Sequence, residues 1–190
     1  MYSLSVPKEN RNDGALDIEE QTRRLMEQYG NDVLRTAYMI LKDKHRAEDA
    51  FQEVFIKVFR KYTGFRGESS EKTWLISITM NVCRDMLRSS WLKRVFPTDR
   101  IALQRGGADI EERLIRKDES RLLFESVMSL PEAFRETVVL YYYNGCDTAE
   151  IGRMLGTKEG TVRSRLHRAR ELLRTKLGGG TGPDDRYEGF

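Results

Sequence analysis

The side chains best suited to specific chemistry lie between Asp147 and Arg174, in the segment DTAEIGRMLGTKEGTVRSRLHRARELLR. On a helical wheel, the second half of this segment has one apolar stripe, made of Val162, Leu166, Ala169 and Leu173. The opposite face is polar and carries Gly160, Arg163, Ser164, His167 and Glu171, with Arg168 and Arg170 on its flanks. From Arg153 to Lys176 there are eight lysines or arginines against two glutamates, a net of +6 in a chain whose total is +3. Donor side chains on a short cationic helix can bond to base edges and to phosphates, so this pattern is typical of a helix in the DNA major groove.

The elements that must position this face form a helix-turn-helix pair. Asp147 and Glu150 have the spacing of a capping box and predict the start of the first helix. Gly156 allows a sharp turn, and Thr157 is the predicted cap of the second helix. The alternative is an ordinary three-helix bundle with an arginine-rich solvated surface. That alternative is disfavoured because so many neighbouring cations repel one another without an anionic partner.

The composition favours a helical protein without a membrane span. The chain has 190 residues, of which 39% are hydrophobic and 33% charged, with only four prolines. No apolar run approaches the roughly 20 residues that cross a bilayer, and the polar N-terminus lacks the apolar core of a secretion signal. We therefore expect a cytoplasmic protein with no direct membrane insertion. Cys83 and Cys146 are expected to be reduced, partly buried thiols, and with two histidines and no CxxC we expect neither a metal site nor a cofactor.

The pattern of apolar residues divides the chain into two all-helical domains. Residues 1–16 and 178–190 are predicted to be disordered, and residues 96–109, with one proline and two glycines, are predicted to be a flexible linker. The first domain, residues 17–95, has three apolar stripes; these contain Leu25, Met26, Tyr29, Val33, Ala37, Ile40 and Leu41, then Ala47, Phe51, Val54, Phe55, Val58, Phe59 and Tyr62, then Trp74, Leu75, Ile78, Val82 and Met86. The second domain, residues 110–177, opens with an acidic stretch, and Phe134, Val138, Tyr141 and Tyr142 are its predicted core residues before the helix-turn-helix. We expect all of these stripes to be core.

Two polar faces of the first domain are not explained by packing. An acidic and amide cluster opens the second stripe, at Asp43, Arg46, Glu48, Asp49, Gln52 and Glu53. Carboxylates stabilise a helix N-terminus, and this accounts for about half of the pattern; the rest suits a docking surface for a protein. The segment from Arg84 to Arg105 contains six cations and only two aspartates, so it is basic. The small polar loop from Gly67 to Trp74 precedes that basic helix. Such a loop beside a basic helix can receive an unstacked base, although a tryptophan there is more often a core residue.

The full pattern resembles a known family. The segments RAEDAFQEVFIKVFRKYTGFRG, KTWLISITMNVCRDMLR and LPEAFRETVVLYYYNGCDTAEIGRMLGTKEGTVRSRLHRARELLR, in this order and spacing, look like the extracytoplasmic function (ECF) group of bacterial sigma factors. The resemblance covers roughly Glu20 to Leu177. One departure is Arg46, which stands where the family usually has an acid.

The resemblance implies a promoter-recognition subunit that binds core RNA polymerase and promoter DNA, both double-stranded and melted. The implied polymerase contacts are Asp43, Glu48, Asp49, Gln52, Glu53 and Lys57. The implied −10 contacts, which capture an unpaired base and hold its strand, are Arg66, Glu68, Ser69, Lys72, Trp74, Asn81, Arg84 and Arg88. The implied −35 contacts are Lys158, Thr161, Arg163, Ser164, His167 and Arg168. The resemblance alone also implies an anti-sigma partner, which can hold the chain at the membrane.

Two other classes of protein are weaker interpretations. A stand-alone helix-turn-helix regulator would bind DNA without polymerase, but it would not need the long basic helix and polar loop of the first domain. A nucleic-acid-processing enzyme would need a metal cluster or a nucleophile constellation, and the carboxylates and two histidines do not form one in the sequence. We therefore expect no enzymatic activity and no small-molecule substrate.

Overall fold

All regular structure that can be described in this chain is helical, which confirms the predicted all-α class. The computed structural model describes residues 13–65, 67–95 and 118–177. The predicted linker at 96–109, the tail from 178 onward and residues 1–12 lie outside the described residues. Within the described ranges, no helix has the length and apolar character that crossing a membrane requires.

Three helices form the first unit, residues 13–95. Helix α1 spans Asp13–Leu41, α2 spans Lys44–Lys61, and α3 spans Glu71–Val95 after a 3-10 turn at Tyr62–Gly64. Each helix packs on the other two, and their shared core is fully buried at Leu25, Val33, Val54, Val58, Leu75 and Ile76. The chain reverses at Lys42, whose φ is 57°, and the Asp43 carboxylate then accepts a hydrogen bond from the Arg46 amide as the N-cap of α2.

The structure corrects several predictions about these elements. Helix α1 begins at Asp13, so residues 13–16 are helical where disorder was predicted. Met26 and Phe59, both predicted to be core, are 39% and 47% exposed. They lie at the edges of their apolar stripes, and the neighbouring helices do not cover the full width of these stripes. In the second unit Tyr142, also predicted as core, is 44% exposed.

The second unit, residues 118–177, contains four further helices in its described part. Helix α4 spans Asp118–Met128, and α5 spans Glu132–Val138 and continues into a π-helical turn at Val139–Tyr143. Helix α6 spans Thr148–Leu155, and α7 spans Glu159–Lys176. The buried side chains that join them are Leu130, Val139, Leu140, Ile151, Val162 and Leu166.

Local chemistry sets both ends of the turn between α6 and α7. The predicted capping box is confirmed, with the Asp147 carboxylate accepting from the Glu150 amide at 2.7 Å. Gly156 ends α6 at φ 61°, a left-handed conformation that glycine adopts without strain. The cap predicted at Thr157 is wrong, because α7 begins at Glu159 and its N-cap position therefore falls one residue after Thr157. The Thr157 amide instead donates to the Gly152 carbonyl at 2.9 Å and closes α6. The N-cap of α7 is Lys158.

The two units contact each other through buried polar groups. Arg135 of α5 is only 5% exposed, and its Nε donates to the carbonyl of Met39 at 2.9 Å, at the C-terminal end of α1. Nearby, the Asn144 amide nitrogen donates to the Thr36 hydroxyl at 3.1 Å. The units are therefore joined by specific hydrogen bonds as well as by the chain between them.

Both cysteines are free and buried, one in each unit. Burial raises the pKa of the Cys83 and Cys146 thiols to about 12. Their thiolate forms are therefore scarce at neutral pH.

Candidate nucleic-acid interface

Helix α7 has an exposed polar face and, on its other side, a buried apolar stripe. Val162, Leu166 and Ala169 are buried against α5 and α6, so the rotation of α7 about its own axis is set by its apolar stripe. The predicted −35 contacts are all exposed, with Lys158 at the N-cap of α7 and the others along the helix at Thr161, Arg163, Ser164, His167 and Arg168. The helix therefore exposes a continuous row of donors without unfolding any part of its core.

Several side chains on this face have partners that the sequence did not indicate. The Glu159 carboxylate accepts from Arg163 at 2.6 Å and from the Thr148 hydroxyl at 2.6 Å. These bonds lower the pKa of Glu159, with the Thr148 bond as the larger cause. Farther along α7, the Arg170 guanidinium donates to the Tyr142 hydroxyl at 2.8 Å and lies over its ring. Tyr142, which was predicted to be a core residue, thus holds Arg170 at the edge of the polar face of α7.

The loop before α3 and the first turn of α3 together carry most of the predicted −10 contacts. Arg66 lies outside the described residues, while Glu68 is exposed and Ser69 half-buried. Lys72 pairs with Asp32 of α1 at 3.3 Å. Trp74 is half-buried, with its ring 5.0 Å from that of Phe65 and 6.2 Å from that of Tyr62, measured between centroids. The Trp74 side chain thus belongs to a small aromatic cluster with two residues that precede the loop.

An ion pair ties α1 to the first residue of α3, directly after that loop. Arg24 of α1 donates to both oxygens of Glu71, one of the bonds measuring 3.0 Å. The hydrogen bond from Arg24 is the main cause that lowers the pKa of Glu71. This pair could not be predicted from the sequence because its partners are 47 positions apart.

The basic face of α3 is only partly available. Asn81 and Arg88 are exposed, whereas Arg84 is half-buried and tied to the second unit. The Arg84 guanidinium pairs with Glu136 at 3.1 Å and donates to the Met154 carbonyl at 3.2 Å. The Glu136 side chain is only 5% exposed. Arg84 therefore already has protein partners in the position where the sequence predicts a DNA contact.

The predicted polymerase-binding surface follows one side of α2. Asp49 and Gln52 are exposed, Glu48 lies 3.6 Å from His45, and Glu53 pairs with Lys57 at 3.6 Å. Asp43 is exposed and caps the helix. Two large apolar side chains accompany these groups, since Ile56 is 44% and Phe59 47% exposed. This surface combines carboxylates with an apolar patch that the sequence interpretation had assigned partly to the core.

Among the described residues, no group of three or more His, Cys, Asp or Glu side chains is arranged to hold a metal ion.

Similarity to known proteins extends over both units. The family model for Sigma-70 region 2 matches residues 25–93, and that for Sigma-70, region 4 matches residues 120–173. ECF RNA polymerase sigma factor SigX of Bacillus subtilis is 30% identical over 169 residues, covering 84% of this chain and 85% of SigX. The ECF RNA polymerase sigma-E factor of Escherichia coli K12 is 35% identical over 139 residues, which cover 68% of this chain and 72% of the Escherichia coli protein. ECF RNA polymerase sigma factor SigE of Mycolicibacterium smegmatis is 40% identical over 158 residues, but those are 80% of this chain and only 60% of SigE.

Two solved structures share the fold. CnrH, in complex with the cytosolic domain of CnrY, aligns with a TM-score of 0.60 at 20% identity, over 88% of this chain and 96% of its own. Sigma factor RpoE, in complex with the anti-sigma factor NepR from Bartonella quintana, aligns with a TM-score of 0.61 at 21% identity, over 85% and 96% of the two chains.

Proposed function

The chain belongs to the ECF RNA polymerase sigma factors, and we propose that it directs core RNA polymerase to promoters by reading a −35 and a −10 element. The observation that carries this proposal is the exposed polar face of α7, which points away from the core because the apolar stripe of the same helix is buried. The mechanism is one of binding and positioning, and the chain performs no chemical step of its own.

At the −35 element, α7 enters the major groove. Arg163, Ser164, His167 and Arg168 meet bases and phosphates, while Lys158 and Thr161 contact the backbone near the helix N-terminus. Phosphate contacts from arginine and lysine supply most of the affinity, so binding weakens as salt concentration rises. Each good base contact contributes about 1–3 kcal/mol of discrimination.

At the −10 element, the loop before α3 takes up an unpaired base, and α3 holds the strand. Glu68 and Ser69 lie in this loop, and Lys72 and Trp74 follow it in the first turn of α3. Asn81 and Arg88 are exposed along α3 and are ready to meet the strand. Arg84 joins them only after it releases Glu136 and Met154, so strand capture is coupled to a rearrangement between the units.

Core polymerase binds the carboxylate and amide side of α2, which includes Asp43, Glu48, Asp49, Gln52, Glu53 and Lys57. Ile56 and Phe59 give this surface an apolar contribution that charges alone would not supply. Linking two DNA-reading units on one polymerase raises the effective concentration of the second contact once the first has formed.

An anti-sigma protein is the regulatory partner that we propose for this chain. The proposal is supported by the fold shared with RpoE, which was solved with the anti-sigma factor NepR. In this scheme the chain acts in the cytoplasm, and a membrane-bound partner can retain it at the membrane.

Run-off transcription with core polymerase on a randomised promoter library tests the proposal directly. Wild type is expected to select a two-part promoter, and Arg163→Ala is expected to lower output from it about tenfold. Arg23→Ala is the matched control, because Arg23 is also an exposed arginine paired with a glutamate four positions before it. Initiation that is independent of the added chain would refute the function. Sequence-specific DNA binding that needs no polymerase would favour a stand-alone regulator instead.

A further inference from the structure

The carboxylate of Glu159 is held by two different helices. Arg163 approaches it from one turn along α7, at 2.6 Å, and the Thr148 hydroxyl approaches it from the first residue of α6, at 2.6 Å. An isolated exposed pair at this spacing is common on helices and contributes little. The Glu159–Arg163 pair differs from such a pair because the Thr148 hydroxyl of α6 also bonds to the carboxylate. The carboxylate is therefore fixed as well as the arginine.

A close approach of the two helix backbones makes the contact from α6 possible. Gly152, one turn after Thr148, is buried against the start of α7. A Cβ at this position would lie 3.0 Å from the Thr157 carbonyl oxygen and 3.6 Å from the Glu159 amide nitrogen. The absence of a side chain at Gly152 therefore lets α6 approach until the Thr148 hydroxyl reaches Glu159.

This arrangement restricts the side chain of Arg163. A free arginine on an exposed helix face samples many rotamers, and it must lose them when it docks on a base. One guanidinium nitrogen of Arg163 bonds to Glu159, and the remaining N–H groups are left to form a planar fork. Such a fork matches the O6 and N7 acceptors of guanine in the major groove.

We propose that Glu159 is a positioning residue for −35 recognition: held by Thr148, it orients Arg163 toward a guanine. This inference rests on the −35 role proposed above for Arg163. It assigns Thr148 and Glu159, which lie outside the predicted contact set, to promoter selectivity.

Selectivity at each −35 base pair provides the test, using the full chain with core polymerase and promoters that carry all four bases in turn. Arg163→Ala is expected to lower the preference for guanine at one position by about tenfold. Glu159→Ala and Thr148→Val are expected to lower it at the same position by about threefold or more, and Thr148→Ser is expected to retain it. In the Arg163→Ala background, Glu159→Ala is expected to have no further effect at that position. Thermal unfolding of each variant checks that the fold is intact.

The possible failures are distinguishable. If Glu159→Ala changes the preference at a different base pair from Arg163→Ala, Glu159 reads a base itself and the positioning role is wrong. If it strengthens binding equally on all sequences, Glu159 only repels phosphates, and the proposal is again overturned. If Arg163→Ala leaves every −35 preference unchanged, the −35 role proposed for Arg163 fails, and the inference fails with it.

Discussion

At the scale of single residues, the Arg24–Glu71 pair ties stability to pH. Arg24 lowers the pKa of Glu71 below its ordinary value of 4.5, so Glu71 favours the folded state in its charged form. A carboxylate with a lowered pKa contributes stability that is present above its unfolded-state pKa and is lost as pH falls through its folded-state pKa. Both side chains are partly exposed, at 42% for Arg24 and 26% for Glu71, which limits the contribution.

Glu71→Gln is therefore expected to lower the free energy of unfolding by about 1 kcal/mol at pH 7. The loss should shrink as pH falls below 4.5, because wild type then loses the same charged group. Urea denaturation of both proteins between pH 7 and pH 3 measures this difference. The exposed pair of Arg23 and Glu19 supplies the control, since Glu19→Gln should have almost no effect at either pH. A constant gap between wild type and Glu71→Gln at every pH would contradict the explanation.

At the scale of elements, the two helices that flank the turn between α6 and α7 each contain a glycine, and the two glycines are in opposite situations. A Cβ at Gly152 would press on the Thr157 carbonyl at 3.0 Å, whereas a Cβ at Gly160 would meet nothing within 4 Å. Gly152→Ala is expected to cost about 1–3 kcal/mol, because backbone has to move to admit the methyl group. Gly160→Ala should instead stabilise the fold by about 0.4–1 kcal/mol, because the unfolded chain loses freedom. Thermal unfolding of the two variants checks the signs, and a loss of similar size in both would reject this account of the turn.

The helices and most of their buried stripes could be predicted from the sequence, because period and capping signals act over a few residues. The errors have local causes. Phe59 and Tyr142 fit the helical period of a core face, but period alone does not tell how much of a wide stripe neighbouring helices will cover. Thr157 has the residue type of a cap, yet α7 begins only at Glu159, so Thr157 lies one residue before the N-cap position. The Thr148–Glu159 contact depends on how two helices pack, so the sequence could not reveal it.

At the scale of the whole molecule, the contact between the two units had no signal in the sequence. Arg135 and Glu136 are charged residues of the short helix α5, for which exposure is the ordinary expectation, yet they are 5% and 4% exposed. Glu136 pairs with Arg84 of the other unit, and Arg135 bonds to the carbonyls of Met39 and Ile40 there. Arg135 also donates to the Leu130 carbonyl of its own unit at 2.9 Å. An interface made of such polar groups can open at modest cost, because each group can be hydrated once it is exposed.

Arg135→Ala is expected to open the molecule. The substitution leaves the carbonyls at the C-terminal end of α1 without their donor, at a cost of about 1–3 kcal/mol as long as they stay buried, and separating the units relieves that cost by hydration. We expect an increased radius of gyration in small-angle scattering and an unchanged helical circular dichroism signal at 25 °C, with Arg23→Ala as the exposed-arginine control. Scattering identical to wild type would mean that the remaining bonds between the units, such as those of Asn144 with Thr36 and of Arg84 with Glu136, suffice to hold them together. An increase would mean that this buried guanidinium maintains the arrangement in which Arg84 is bound to Glu136 and is not free to reach DNA.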